Sequence, residues 1–195
     1  MRWRFIHIPK NGGTSWGQVF GLGTEPGHPH SPASCFPDEI WKVALVRNPY
    51  DRAVSICGHI LRGILDGPLS PGVFREWVAS GFPTSIIRQG KPVVKAGYAF
   101  DPMALEVTAP QVNWISEDTH LLTLGSEESI RLFCSFTGEP HKPLPVANKG
   151  RRDVDYWPYY DRPTAMAVRN KYQEDRELLL DLFPGALDFE LEKGI

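Results

Sequence analysis

The sequence predicts an α/β domain whose central sheet is mainly parallel and flanked by helices. Two stretches carry this prediction. Residues 3–8 are β-branched and aromatic, and they run into Pro9 and the adjacent glycines Gly12 and Gly13 before helical spacing begins. Residues 41–46 form a largely apolar run, typical of a buried parallel strand, and a helix-start signal follows directly. Because each strand leads into a helix, we expect parallel strand pairing.

Length and composition limit the class of protein. A chain of 195 residues is long enough for one domain with a sizeable core, so we predict a single domain over 1–195. Its net charge of −2 gives no overall attraction to nucleic acid or anionic membranes. No apolar run approaches the roughly 20 residues that a membrane span needs. We therefore expect neither a nucleic-acid partner nor an integral membrane segment.

The cysteines and histidines predict the compartment and the metal content. The three cysteines form no Cys-x-x-Cys motif, which favours reduced structural residues. No signal peptide is visible, because the first strand begins almost at once. We therefore expect a cytoplasmic protein. The six histidines show no zinc-ligand spacing, so we expect no metal.

The turn after the first strand has the composition of an anion-binding loop. It consists of Lys10, Asn11, Gly12, Gly13, Thr14 and Ser15. Glycines can adopt positive φ and let backbone N–H groups approach an anion, and Lys10 adds a full positive charge. Thr14 and Ser15 can cap the following helix, whose N-terminus favours negative charge. The lysine precedes the glycines, so this is not the Walker A pattern.

A second anion site is predicted after the run 41–46. Asn48 is a suitable helix cap and Pro49 suits the first helical position, so a helix is predicted from here to about Leu65. Arg47 would lie at the carboxyl end of the strand, and Ser55 in the first two turns of the helix. Both could reach an anion placed over the strand ends, where open α/β sheets bind ligands.

Two further segments carry candidate residues. The loop 21–37 is long for a compact domain and contains His28 and His30, whose imidazoles suit a general base near neutral pH. Isolated histidines of this kind are also common as solvated loop residues. The cluster 148–152 places Lys149, Gly150 and Arg151 side by side, as an anion site or as a solvated basic turn.

Four segments together resemble the sulfotransferases that use 3′-phosphoadenosine-5′-phosphosulfate (PAPS). The run Pro-Lys-Asn-Gly-Gly-Thr-Ser resembles their 5′-phosphosulfate loop, which usually has threonine at the position of Asn11. Residues 47–55 match their 3′-phosphate motif, Arg-Asn-Pro-x-x-Arg-x-x-Ser, at every fixed position. His30-Ser31-Pro32-Ala33 resembles the His-x-x-Ala of the carbohydrate sulfotransferases (sulfotransferase family 2). Residues 148–152 resemble their late Asn-Lys-Ser/Gly-x-Arg loop.

The resemblance implies a three-layer, P-loop-like fold and a reaction that needs no metal. A sulfuryl group would pass from PAPS to an acceptor hydroxyl and leave adenosine 3′,5′-bisphosphate. Lys10 and residues 11–15 would hold the phosphosulfate, and Arg47 and Ser55 the 3′-phosphate. The loop that contains Lys149, Gly150 and Arg151 would close over the nucleotide.

Lys10 and His30 would be the catalytic residues. Lys10 would offset charge on the bridging oxygen, and His30 would take the acceptor proton, with His28 as the alternative base. A glycan is the default acceptor, while a lipid, a small metabolite and a peptide tyrosine stay open. Two other classes also stay open, a non-catalytic phosphate-binding module and a divergent nucleotide kinase.

Overall fold

The computed structural model describes residues 2–25, 27, 29–62, 65, 67–84, 86–88, 91–93, 106–145, 155–182, 190, 192 and 194. The chain is α/β, with a small parallel sheet and helices. The described residues divide into two compact units. The first unit contains those of 2–47 and 111–145, and the second those of 48–93, 106–110 and 155–194. The prediction of one domain over 1–195 stays a prediction.

The strands are β1 (Trp3–Ile6), β2 (Trp41–Val46), β3 (Ile86–Arg88), β4 (Lys91–Val93) and β5 (Thr119–Thr123). The α-helices are α1 (Gly13–Phe20), α2 (Pro49–Ile60), α3 (Pro71–Ala79), α4 (Glu127–Thr137), α5 (Arg162–Lys171) and α6 (Gln173–Leu179). Short 3₁₀ helices span Ala33–Cys35, Gln111–Trp114, Trp157–Tyr159 and Leu180–Leu182.

The first unit is built on a three-stranded sheet. Its order is β1-β2-β5 and both pairings are parallel, which confirms the predicted direction of the first two strands. Phe5 lies opposite Val43, and both side chains are buried, as expected for strands covered on their faces. The aromatic rings of Phe5 and Trp16 stack at 4.8 Å between centroids, so α1 packs on the sheet. This core holds the carboxyl ends of β1 and β2 side by side.

The two helices of the first unit begin differently from each other. The sequence predicts a helix over 126–137, capped by Ser126 and closed by Gly138. The structure confirms it, because Ser126 accepts the backbone N–H of Ser129 at 3.2 Å and Gly138 ends α4 at φ +74°. Helix α1, by contrast, has Gly12 at its N-cap. The prediction that Thr14 or Ser15 caps it is wrong, because both residues already lie inside the first turn.

The second unit packs α2, α3 and α5 around aromatic residues. Tyr50, Phe74 and Tyr160 are buried there, and the rings of Phe74 and Tyr160 meet edge to face at 5.0 Å. Helix α2 ends at Ile60, so its predicted end near Leu65 is wrong. A glycine-rich stretch follows in the sequence, and glycine disfavours helix. Strands β3 and β4 pair antiparallel in a separate two-stranded sheet.

The sequence predicts a final helix that is capped by Asp161 and has Pro163 in its first turn. In the structure this helix is divided in two. Asp161 does cap it, since its carboxylate accepts the backbone N–H of Thr164 at 3.0 Å. The backbone leaves helical geometry at Tyr172, with φ −116° and ψ +33°, and α6 begins at the next residue. Among the described residues, no helix combines the length and the apolar character that crossing a bilayer requires.

Candidate anion-binding site

The loop between β1 and α1 is wound tightly by two left-handed residues. Lys10 has φ +71° and Gly12 has φ +81°. Positive φ is uncommon for a residue with a side chain and costs on the order of 1–3 kcal/mol. Strain of this kind persists where the surrounding structure holds it, and it clusters at functional sites. The strained residue here is Lys10, which the sequence predicts to bind an anion.

Each glycine of the loop has its own steric requirement. A Cβ on Gly12 would lie 2.5 Å from Leu124 Cδ1, in addition to the cost of its positive φ. Gly13 is the first helical residue, and a Cβ there would lie 1.9 Å from Cδ2 of the His7 imidazole. Gly13 is therefore required by the close approach of His7 and not by its own backbone angle.

The N-terminus of α1 faces the same loop. No described side chain caps it, and its first turn contains no acidic residue. The first backbone N–H groups of a helix lack intrahelical acceptors and carry partial positive charge. Thr14 is exposed and Ser15 is half-buried in this turn. The N-terminus of α1 thus carries the partial positive charge that favours a bound anion.

Asn11 lies beneath the loop. Its side chain is 1% exposed, and Nδ2 donates to the Leu45 carbonyl at 2.9 Å and to Gln111 Oε1 at 2.5 Å. Its backbone N–H donates to the Ile8 carbonyl at 3.3 Å. The structure therefore makes Asn11 a support of the loop, and its predicted contact with an anion stays a prediction.

Arg47 joins the two predicted anion sites. It follows the last residue of β2, and its Nη1 donates to the carbonyl oxygen of Lys10 at 2.9 Å. The two residues are 37 positions apart in the sequence. Parallel pairing of β1 and β2 brings their carboxyl ends together, which places both basic residues at one edge of the sheet.

Ser55 belongs to the second unit. It lies in the second turn of α2 and is half-buried. Asn48 starts this helix as predicted, because its Oδ1 accepts the backbone N–H groups of Tyr50 at 2.9 Å and Asp51 at 3.4 Å. The predicted role of Ser55 at a 3′-phosphate stays a prediction.

Arg52, the second arginine of the same motif, has a structural role. Its side chain is 1% exposed, with Nη1 donating to the Ala109 carbonyl at 2.9 Å and Nη2 to the Val107 carbonyl at 3.1 Å. Its guanidinium also lies 5.8 Å from the ring centroid of Tyr172. Arg52 thereby holds the 107–109 segment within the second unit.

His30 is held against the end of β1. Its Nδ1 lies 3.1 Å from the carbonyl oxygen of His7, and the two imidazole centroids are 4.4 Å apart. A carbonyl oxygen can only accept, so Nδ1 carries the proton in this contact. In the neutral ring the lone pair is therefore on Nε2.

His7 is neutral at physiological pH. Burial, the charge that His30 carries when protonated and the charge of Lys10 together lower the pKa of its imidazole from 6.5 to about 3, and burial has the largest effect. Lys10, His7 and His30 therefore lie close enough to influence one another electrostatically.

A buried arginine anchors the loop that carries His30. Arg4 on β1 is 3% exposed, and it donates to the Glu25 carbonyl at 2.7 Å and to the Gly27 carbonyl at 3.2 Å. Its guanidinium lies 5.0 Å from the ring centroid of Phe36. Glu25 and Gly27, which are close in sequence to His30, are thus attached to β1.

Several predicted residues lie outside the described part of the chain. These are His28, the alternative base, and the basic loop residues Lys149, Gly150 and Arg151. Within the described ranges, no group of three or more histidine, cysteine or acidic residues could hold a metal ion.

Sequence reasoning missed three residues that shape this site: His7, Arg4 and Gln111. His7 offered a usable signal, because it lies near the carboxyl end of the first predicted strand, two positions before Pro9, and open α/β sheets bind ligands at that edge. Arg4 and Gln111 offered none in a single sequence, since their roles depend on distant backbone carbonyls. Comparisons with protein-family models, curated proteins and solved structures found no match.

Proposed function

We propose that this protein is a PAPS-dependent sulfotransferase that transfers a sulfuryl group to an acceptor hydroxyl, with a carbohydrate as the default acceptor. One observation carries the proposal: Arg47 Nη1 donates to the Lys10 carbonyl, so one basic residue from each motif that resembles the donor site lies at the same sheet edge. The three-layer, P-loop-like arrangement expected of such enzymes is part of the same proposal.

The chemistry of the donor favours this function over a nucleotide kinase. PAPS carries a 5′-phosphosulfate and a 3′-phosphate separated by a ribose, so a protein that binds it needs two anion sites. A kinase of the Walker A type needs one loop that ends in Gly-Lys-Ser/Thr, and the sequence has no such loop. Basic residues at two successive strand ends suit the donor with two anions.

Lys10 is proposed to act on the transferring group. As the sulfur–oxygen bond to the 5′-phosphate breaks, negative charge develops on the bridging oxygen. The Lys10 ammonium and the N–H groups of α1 would stabilise that charge, which is transition-state electrostatic stabilisation. Adenosine 3′,5′-bisphosphate leaves with the electron pair of the broken bond.

His30 is proposed as the general base. The acceptor oxygen attacks sulfur in line with the leaving group, and its proton passes to Nε2 of His30. The contact between Nδ1 and the His7 carbonyl supports this assignment, because it leaves the lone pair on the other ring nitrogen. The base becomes an imidazolium that releases its proton to solvent.

The proposal is tested with PAPS labelled in its sulfur and a panel of glycan, lipid, small-molecule and tyrosyl-peptide acceptors. We expect label transfer without added metal, and Lys10→Ala should abolish it while weakening adenosine 3′,5′-bisphosphate binding much less. Lys142→Ala, at an exposed lysine of the first unit, is the control and should keep full activity. Nucleotide binding without transfer would favour a non-catalytic module, and magnesium-dependent ATP turnover would favour a kinase.

Arg47→Ala separates two roles of that arginine. If its guanidinium binds the 3′-phosphate, the variant should lose about tenfold to a hundredfold in affinity for adenosine 3′,5′-bisphosphate and little for adenosine 5′-phosphate. If Arg47 acts only by holding the Lys10 carbonyl, both ligands should weaken equally. Calorimetric titration of the two nucleotides distinguishes these outcomes.

A further inference from the structure

Gln111 makes three hydrogen bonds at the base of the anion loop. Its side chain is fully buried, and it begins the 3₁₀ helix Gln111–Trp114. Oε1 accepts from Asn11 Nδ2 at 2.5 Å and from the Arg47 backbone N–H at 3.0 Å. Nε2 donates to the Arg47 carbonyl at 2.9 Å. One amide therefore contacts both predicted anion-binding segments, 100 and 64 residues away in sequence.

The orientation of these amides follows from the backbone of Arg47. A backbone N–H can only donate and a carbonyl can only accept, so Gln111 must point Oε1 at the former and Nε2 at the latter. Oε1 then requires a donor from Asn11, which must turn Nδ2 toward it. The same Nδ2 also donates to the Leu45 carbonyl at 2.9 Å. Reversing any one amide would place two donors or two acceptors face to face.

These contacts close a ring. Arg47 Nη1 donates to the Lys10 carbonyl at 2.9 Å, and Lys10 is bonded covalently to Asn11. Starting from Gln111, the path runs through Asn11, Lys10 and Arg47 and returns to Gln111. A displacement of either segment would therefore break at least one hydrogen bond of the ring. The strained φ of Lys10 lies within this ring, where its neighbours hold it.

We propose that Gln111 is the positioning residue that sets the spacing between the Lys10 loop and Arg47, and thereby selects ligands with two anionic groups. This inference rests on the proposed function for the identity of the ligand. Gln111 acts through the other two residues and not by touching the nucleotide. Its removal should therefore weaken a ligand that spans both sites more than one that occupies the first site alone.

The experiment compares Gln111→Met, which keeps the length and removes the amide, with Lys42→Met. Lys42 is also buried in the first unit, where it pairs with Asp118 at 2.6 Å. Its replacement therefore shows how loss of stability alone changes binding while the hydrogen-bonded ring stays intact. Binding is measured at a temperature where each variant is folded. We expect Gln111→Met to lose at least tenfold in affinity for adenosine 3′,5′-bisphosphate and less for adenosine 5′-phosphate. Lys42→Met should keep wild-type affinity for both.

Gln111→Glu adds a pH readout. A protonated carboxylic acid reproduces the amide, with one oxygen accepting and an O–H donating to the Arg47 carbonyl, whereas a carboxylate cannot donate. The affinity of this variant, taken as a ratio to wild type at each pH, should approach one in acid and fall as the acid ionises. Gln111→Met should show a constant ratio. A ratio for Gln111→Glu that stays well below one in acid as well as at higher pH would overturn the proposal.

The outcomes separate this inference from the proposed function. If wild type binds the bisphosphate and folded Gln111→Met binds it within threefold, the positioning role is wrong and the function stands. If wild type binds no bisphosphate, the proposed function fails. The positioning role of Gln111 is then tested by backbone amide hydrogen exchange. Faster exchange of the Arg47 and Asn11 backbone amides in Gln111→Met would support the ring, and exchange changes confined to 111–114 would overturn it.

Discussion

Acidification should destabilise this protein through His7. Burial holds the pKa of His7 at about 3, while the unfolded chain has the ordinary value of 6.5. Between these two values the unfolded state binds a proton that the folded state does not. Lowering the pH therefore favours unfolding, and the stability contributed by neutral His7 is fully present only above about pH 6.5.

The size of the effect follows from the same two values. The slope reaches about 1.4 kcal/mol per pH unit inside the window, and integration from pH 8 to pH 5 gives a loss of about 2 kcal/mol. His7→Phe removes the titrating group and keeps a ring beside Gly13. The variant should therefore lose about 2 kcal/mol less than wild type over this pH range.

The assay is urea unfolding followed by circular dichroism at half-unit pH steps from 8 to 4.5. The quantity compared is the difference in unfolding free energy between wild type and variant at each pH, which cancels groups common to both. His120→Gln is the control, because that side chain is exposed on β5 and solvated before and after unfolding. If wild type and His7→Phe decline in parallel, His7 is not the buried neutral group described above.

Three further outcomes are expected. Gly13→Ala places a methyl group against the His7 imidazole and should lower the free energy of unfolding in urea by roughly 1–3 kcal/mol. Gly72→Ala is the control: a Cβ there has no contact closer than 4.0 Å, so the change should be neutral or stabilising. Equal effects of the two changes would contradict the steric explanation. Arg52→Met deprives the buried Val107 carbonyl and the half-buried Ala109 carbonyl of charged donors and should cost about 3 kcal/mol, so a loss below about 1 kcal/mol would refute its structural role. His30→Ala should lower turnover by about 10²–10⁴ with nearly unchanged bisphosphate affinity, and an active variant would move the base to another residue.

The elements with strong local signals agree with the structure. Ser126 and Gly138 delimit α4 as predicted, and Asn48 and Pro49 start α2. Caps act through hydrogen bonds to backbone groups two or three residues away, so a few residues contain the whole signal. The end of α2 was predicted five residues too late, and the break at Tyr172, which has no glycine or proline beside it, was not predicted.

In the candidate site, too, some features were predicted from the sequence and others were not. Glycines beside Lys10 and an arginine at the end of the second strand were visible in the sequence, and parallel pairing then brings the two together. The sequence did not indicate that Asn11 lies beneath the loop, that Arg52 holds backbone carbonyls, or that His7 is neutral. Each of these facts depends on burial, which is a property of the assembled unit.

The sequence by itself determined the strand-loop-helix order, the helix starts with side-chain caps, and the charges available at the two strand ends. These properties arise from backbone preferences and hydrogen bonds within a few residues. Only the tertiary structure decided which polar side chains are buried and hold the backbone in place, and which lie at the anion loop. Gln111 contacts residues 64 and 100 positions away. Such contacts depend on chain closure and packing, whose energies no short stretch of sequence contains.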